Sequence, residues 1–311
     1  MRVLVTGSNG RIGRAAVEQL LGHGHRVFGI DAEGRPDALC ATRVDDLSVP
    51  YAIHRALDDA ERSLGGSMDA VVHLANLSNV HVAPPERVLR ENLSINASVF
   101  QSALEHGVSR LVFISSVQAM VAGTDGVGAS ESQPPHELPL RESMEPRPGN
   151  AYGISKLLTE RMLDELVRVG QYGSGASAVS LRFPWVLHEK AWTFNIERTQ
   201  RHDFRWGGPE AFAYVALSDA GRAIALACEA EIEGHEVFWI ASPDPRPNET
   251  VEALVERFYR DVPGARSCIE RGSFNDTSKA ERVLGWRAER LLRDARREAG
   301  VPGPLGVGEE G

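Results

Sequence analysis

Arg2-Val3-Leu4-Val5-Thr6-Gly7-Ser8-Asn9-Gly10-Arg11-Ile12-Gly13-Arg14-Ala15-Ala16-Val17-Glu18-Gln19-Leu20-Leu21 is the stretch whose reading decides the fold. Arg2 to Thr6 is a short, apolar, β-branched run, as expected of a central parallel strand buried on both faces. Arg14 to Leu21 carries a helical pattern, so the glycines between them stand at a strand-to-helix turn. There Gly7 permits the tight turn, Gly10 lets a pyrophosphate approach the backbone, and Gly13 lets the helix lie close to the strand. Free amides of the first helical turn, with Asn9, Arg11 and Ile12 around them, and the positive end of the helix dipole would meet the phosphates. An α/β fold that binds a dinucleotide is the expectation.

His25 to Ile30 reads as the second strand and ends at Asp31. A carboxylate about twenty residues beyond Gly10 is placed to accept from both hydroxyls of an adenosine ribose and to repel a 2′-phosphate. NAD is therefore expected in preference to NADP, with Arg11 and Arg35 as the groups able to swing toward a phosphate instead. Thr42 to Asp45 is a third strand leading to Asp46-Leu47, and Asp46 either meets the adenine amino group or caps the helix after Pro50. Met68 to Ala75 is a fourth strand. Its last residues, Leu74 and Ala75, would lie beside the cofactor, while His73 is read as structural. A further helix starts at Glu91; Asn92 on it either positions a water or carbonyl near the site or satisfies neighbouring backbone.

Arg110-Leu111-Val112-Phe113-Ile114-Ser115-Ser116 is a fifth strand ending in two hydroxyls. At the carboxyl end of a parallel strand a serine faces the ligand crevice, and alternation lets only one of the pair do so fully. Ser116 is taken as the residue that binds the substrate oxygen, with Ser115 counted beside the cofactor. Pro134, Pro135, Pro139, Pro146 and Pro148 make Gly123 to Asn150 a loop, long enough to be a lid or a substrate-contacting excursion. Directly after it, Tyr152-Gly153-Ile154-Ser155-Lys156 opens an amphipathic helix. Four residues apart, Tyr152 and Lys156 share a face, separated by about 6 Å of rise. An ammonium beside a phenol favours the phenolate, so Tyr152, ordinarily of pKa about 10, becomes a usable acid or base near neutrality.

Ala178 to Phe183 is a sixth strand. Pro184 cannot donate to a ladder, so the sheet should stop there, with the turn Pro184-Trp185-Val186 facing the nicotinamide end of the cofactor. Residues 187–213 mix Trp192, Phe194, Phe204 and Trp206 with Arg198, Arg201 and Arg205, side chains that suit sugars and phosphates. Candidate substrate contacts are Ser116, Gln118, Trp185, Arg198 and Arg205. Beyond them lie a helix from Ala220 to Glu229 capped by Ser218 or Asp219, a seventh strand from His235 to Ile240, and helices over Thr250 to Tyr259 and Ser278 to Leu284. Gly303 to Gly311 is expected to fray.

At 311 residues the chain is long for one hydrophobic core, so a main domain with a smaller lobe is expected. Its 42% hydrophobic and 25% charged residues are those of a globular protein in water. A net charge of −9 argues against nucleic acid or an anionic membrane as the main partner, and no apolar run is long enough to span a bilayer. Val3-Leu4-Val5 follows Met1-Arg2 directly, leaving no room for a signal peptide. Cys40, Cys228 and Cys268 are far apart and odd in number, which reads as buried free thiols, no metal site, and a cytoplasmic setting.

Taken together, these residues resemble the extended short-chain dehydrogenase/reductases, in particular the NAD-dependent epimerase/dehydratase family. The resemblance runs from Arg2 to about Trp286 and rests on Thr6-Gly7-x-x-Gly10-x-x-Gly13, Asp31, Asp46-Leu47, His73-Leu74-Ala75, Ser115-Ser116 and Tyr152-x-x-x-Lys156. Leu181-Arg182-Phe183-Pro184, Asp219, Asp276 to Ala280 and Leu284-Gly285-Trp286 extend it. It implies a doubly wound Rossmann domain over 1–183, completed around 214–240, and a C-terminal substrate lobe from 184–213 and 241–300. It also implies Tyr152 as acid/base, Lys156 as ribose binder and tyrosine activator, Ser116 as oxygen binder, and a homodimer built on a helix bundle. The chain departs from the pattern at Asn76, where a second alanine is usual. A tyrosine-glycine pair is absent after Ser116, and Val117-Gln118 replaces the acidic pair of dehydratases. The implied activity is hydride transfer between NAD and a secondary alcohol or ketone of a sugar or nucleotide-sugar. An epimerase and a net dehydrogenase share that half-reaction; the short 186–214 segment lifts a dehydrogenase of a smaller sugar, uronate or related carbonyl compound, and the family's frequent nucleotide-sugar substrates weigh against it. A non-catalytic NAD sensor would not need Tyr152, Lys156 and Ser116.

Overall fold

The structure is a computed structural model that describes residues 1–79, 81–122, 133–169, 175–198 and 203–308. Seven parallel strands form one sheet in the order β3-β2-β1-β4-β5-β6-β9. They are β1 (Arg2–Thr6), β2 (Arg26–Asp31), β3 (Ala41–Val44), β4 (Ala70–His73), β5 (Arg110–Ser116), β6 (Ser177–Phe183) and β9 (His235–Trp239). The chain winds outward from β1 to β3, returns to β4 and winds the other way. That reversal opens a crevice at the carboxyl ends of β1 and β4, where open parallel sheets bind ligands.

Alternation along the strands divides the core into two layers. Val3, Val5, Val72, Val112 and Val179 face α1 (Arg11–Gly22) and α6 (Leu217–Glu229), which supply Ala16, Val17, Leu20, Ala223 and Ile224. Leu4, Val71, Leu111, Phe113 and Ala178 face α2 (Ala52–Leu64), α3 (Pro85–Glu105) and α4 (Ala151–Val169). Both faces are covered, so the strands read as continuous apolar runs. Across the sheet, Arg182 on β6 donates twice to Glu160 on α4, at 2.9 and 2.6 Å, and Ser115 donates to the same carboxylate at 2.6 Å; all three are buried.

Several expectations change. The helix bearing Asn92 starts at Pro85, because a proline in the first turn gives up no helical hydrogen bond. Pro184 does end β6, but β7 (Trp185–Leu187) then pairs in parallel with β8 (Tyr214–Ala216) in a second, two-stranded sheet. Neither Ser218 nor Asp219 caps α6, whose N-cap is Ala216. Asp219 instead accepts from the amides of Glu289 and Arg290. Leu305 is held by Asn248 and bridges to Glu249, so the expected fraying from Gly303 does not occur there; residues 309–311 lie outside the described residues.

The third core cluster joins Leu138, Leu140 and Met144 to Phe212, Trp239, Leu254, Tyr259 and Phe274. Leu138 and Leu140 also hydrogen-bond to the backbone of Pro263 and Phe274. The described part of the proline-rich loop, 133–150, is therefore anchored into the C-terminal part and does not line the cleft described below; the rest, 123–132, lies outside the described residues. Three further helices are not legible from apolar periodicity. They are α5 (Glu189–Glu197), α8 (Ala265–Arg271) and α10 (Leu292–Glu298), each with only two buried residues; α7 is Val251–Leu254 and α9 is Ser278–Leu284.

Candidate active site

A cleft of about 1110 Å³ follows the carboxyl edge of the sheet, from Asp31 past Tyr152 to Arg246. At its floor, α1 begins at Gly10 with no side chain accepting from its first amides, which leaves those donors to a ligand. A Cβ on Gly13 would stand 2.0 Å from the Gly7 carbonyl oxygen, so only glycine lets α1 start this close to β1. Gly7, Asn9, Gly10, Arg11, Ile12 and Gly13 all line the cleft.

Asp31, at the end of β2, accepts from the Asn9 amide at 2.8 Å and the Glu33 amide at 3.0 Å. Both bonds fix its carboxylate at the rim. Arg35, which also lines the rim, donates to Asp37 at 2.9 Å and so has a partner other than a ribose phosphate. Asp31→Ala is expected to erase most of the preference for NAD over NADP, narrowing the ratio of dissociation constants by at least about tenfold, as calorimetric titration of both cofactors would read. Asp46 and Leu47 line the same end. Asp46 accepts from the Ser48 amide, and the N-cap of α2 is Tyr51, so Asp46 is not that helix's cap.

Two predicted cofactor contacts do not reach the cleft. Asn92 is fully buried, accepting from the Leu77 amide at 2.8 Å and donating to the Leu77 carbonyl and the Ser155 hydroxyl. It ties the chain after β4 to α3 and α4, which is the backbone-satisfying alternative. Ser115 points to the opposite face of β5, toward Glu160. His73 is buried and neutral, its pKa pushed down to about 3 by burial, with Thr6 and Asn96 on its two ring nitrogens.

The residues expected to react meet where β5 ends and α4 starts. Ser116, at the tip of β5, lines the cleft and accepts from the Gln118 amide at 3.2 Å. Asn150 caps α4 by accepting from the Gly153 amide at 2.8 Å, and its own amide donates to Gln118 at 2.8 Å. A Cβ on Gly153 would be 2.2 Å from the Gln118 carbonyl oxygen. The first turn of α4 is thus pressed against the turn after Ser116, which brings Tyr152 and Ser116 into one cleft.

Lys156 is buried one turn later, with Nζ 5.4 Å from the centre of the Tyr152 ring and 4.6 Å from that of Phe113. It donates to the Ile114 carbonyl at 2.7 Å and to Asn76 Oδ1 at 2.8 Å. Asn76 in turn donates to Asn96 at 2.6 Å, so the residue that departs from the usual alanine links the lysine to the buried polar row Thr6, His73, Asn96 and Thr159. Burial lowers the Lys156 pKa to about 7, with Glu160 opposing that shift. The unfolded chain holds this proton up to a pH of about 10.4, so between the two values unfolding takes up a proton and stability rises with pH. The cost of burying the cation is fully present below pH 7 or so. Thermal unfolding of the cofactor-free protein should shift upward from near-neutral to mildly alkaline pH, and Lys156→Met should flatten that rise.

Ala75, Leu74 and Pro184 line the middle of the cleft, and Gln118, Trp185 and Arg205 its far end. Arg198 does not line it, its guanidinium lying 5.9 Å from the Phe194 ring, and Arg201 lies outside the described residues. Trp192 is buried against Tyr214. The far end also contains Trp206, Glu210 and Arg246. Arg246 has no periodicity to announce it, but its place just beyond the carboxyl end of β9 is where ligand-binding residues collect in such sheets. Among the described residues no cluster of His, Cys, Asp or Glu fits a metal ion, and no helix is long and apolar enough to cross a membrane.

The model of the NAD dependent epimerase/dehydratase family matches residues 3–188. The UDP-glucose 4-epimerase of Corynebacterium glutamicum is 28% identical across 93% of this chain and 91% of that protein. The NAD-dependent glucose-6-phosphate dehydrogenase of Haloferax volcanii is 33% identical over 51% of this chain and 60% of that protein. Among solved structures, the UDP-glucose 4-epimerase of Thermotoga maritima with UDP-glucose superposes with a TM-score of 0.66 at 25% identity, over 94% of this chain and 95% of that one.

Proposed function

Since the chain belongs to the NAD-dependent epimerase/dehydratase family, we propose that it transfers hydride between NAD and a secondary alcohol or ketone carbon of a sugar or nucleotide-sugar, with Tyr152 moving the proton. The observation that carries this reading is the convergence of Tyr152, Lys156 and Ser116 on the cleft that begins at the open N-terminus of α1. NAD, when bound, supplies the hydride acceptor. Asp31 takes the adenosine ribose and the amides from Gly10 to Gly13 the pyrophosphate. Ser116 donates to the reacting oxygen and orients it. Tyr152 removes the hydroxyl proton as the carbon gives up hydride, and returns it in the reverse step. Lys156, exchanging Asn76 for a ribose hydroxyl, holds its charge near the phenol and lowers the energy of the phenolate.

Epimerisation of a nucleotide-sugar comes first, on the strength of relatives that match over nearly the whole chain. Net dehydrogenation of a smaller sugar is the second reading. It is supported by α5, which packs through Trp192 against Tyr214 and Leu292, so that among the described residues between β7 and β8 mainly the turn from Arg205 to Glu210 faces the cleft. The sugar-phosphate dehydrogenase among the relatives points the same way. A panel of sugars and nucleotide-sugars, assayed for reduced nicotinamide and for isomers, separates the two. Isomers without net reduced cofactor support the first reading, stoichiometric reduced cofactor the second, and neither product from any member would refute the function.

The same reading extends to assembly and setting. Residues 184–213 and 241–300 form the substrate lobe. Ile154 and Leu158 are exposed apolar residues one turn apart on α4 and suit a homodimer built on that helix. Free Cys40, Cys228 and Cys268 suit a reducing cytoplasm.

A further inference from the structure

We propose that Arg246, stacked on Trp185 at the far end of the cleft, anchors an oxyanion carried by the sugar itself, a carboxylate or a phosphate ester. The inference rests on the hydride-transfer reading and names the class of sugar it acts on. Arg246 is only 4% exposed, yet its Nε has no hydrogen-bond partner and its guanidinium carbon lies 4.5 Å from the centre of the Trp185 ring. Among the described residues the two other arginines as deeply buried have acceptors. Arg182 donates twice to Glu160, and Arg296 donates to the carbonyls of Asn195, Arg246 and Pro247. Burying a guanidinium without acceptors is costly, and a site that keeps one in a ligand cleft reserves it for a ligand.

The position is built, not incidental. The Arg246 amide donates to the Phe212 carbonyl, and its own carbonyl accepts from Arg296 at 2.6 Å, so its backbone is held from both sides. A Cβ on Gly207 would fall 2.2 Å from Arg246 Nη2, so glycine there gives the guanidinium its space. Burial lowers the Arg246 pKa only to about 10, with Glu210 opposing and Arg198 and Arg296 adding to the shift, so the group is a cation at neutral pH. Glu210 accepts from Gln118 at 3.2 Å, and Arg205 stands at the rim. Among the described residues lining this end, Arg205 and Arg246 face one carboxylate, Glu210, in a chain of net charge −9. A planar fork over an aromatic face suits carboxylate or phosphate oxygens, while Gln118 and Glu210 suit sugar hydroxyls.

The test is calorimetric titration of the NAD-loaded protein with D-glucuronate, glucose 6-phosphate, D-glucose and UDP-glucose. Either glucuronate or glucose 6-phosphate should bind at least about tenfold tighter than glucose, and which of the two does so identifies the oxyanion. Arg246→Gln should weaken that sugar by about a hundredfold and leave glucose nearly unchanged, Arg246→Lys should restore part of the loss, and Trp185→Leu should weaken it several-fold without disturbing folding, since Trp185 is exposed. Glucose binding as tightly as the anionic sugars, or an anion preference that survives both Arg246→Gln and Trp185→Leu, would overturn the proposal. So would tight binding of UDP-glucose alone, whether or not the variants weaken it, since the anchored oxyanion would then belong to the nucleotide diphosphate. Binding is read without turnover, so absence of hydride transfer would refute the function while leaving this anchor measurable.

Discussion

Tyr152→Phe is expected to lower turnover by about three orders of magnitude while leaving NAD affinity within about twofold. The substitution removes one oxygen from a ring that lines the cleft and keeps the ring itself. Acid–base catalysis by a placed side chain contributes about 10²- to 10⁴-fold, which sets the size of the loss. A structural tyrosine would behave differently, since its removal would weaken cofactor binding and stability together. Steady-state rates with matched titrations of NAD decide between the two patterns.

Glu160→Ala should destabilise the protein by about 3–5 kcal/mol, enough to lower the thermal midpoint by roughly ten degrees. Glu160 is 2% and Arg182 4% exposed, so the alanine variant leaves a guanidinium buried between α4 and the sheet with, among the described residues, the Glu142 carbonyl at 3.4 Å as its remaining hydrogen-bond acceptor. It also leaves the Ser115 hydroxyl without its acceptor. Pairing Glu160→Leu with Arg182→Met should recover much of the loss, because the desolvation cost of both charges goes with them. A loss in Glu160→Ala below about 1 kcal/mol would mean that water reaches Arg182.

The parts of the fold legible from sequence are those written locally. Val3-Leu4-Val5 before Gly7 needs no knowledge of the rest of the chain, and neither does the spacing of Tyr152 and Lys156. What escaped depends on contacts between distant segments. Asn92 and Ser115 sit next to lining residues in sequence, yet the turn of α3 and the pleat of β5 aim them at Leu77 and Glu160. Arg198 and Arg205 look alike in composition, but α5 carries the first away from the cleft and the short turn after Asp203 carries the second into it. Arg246 lies between prolines in a loop, where no period marks it, and only the fold places it over Trp185. The proline-rich loop, read as a lid or a substrate-contacting excursion, has its described part held by Pro263 and Phe274, more than a hundred residues away.

Hydride transfer assisted by Tyr152 is tested most directly by rapid mixing of the NAD-loaded protein with the sugar that the panel selects, followed by reduced-nicotinamide absorbance. The wild type should show the absorbance rise, transiently if the hydride returns to the sugar and lastingly if it does not, and Tyr152→Phe should show almost none on the same timescale. Conversion of the sugar with no reduced nicotinamide at any time, or an unchanged trace in Tyr152→Phe, would contradict the account.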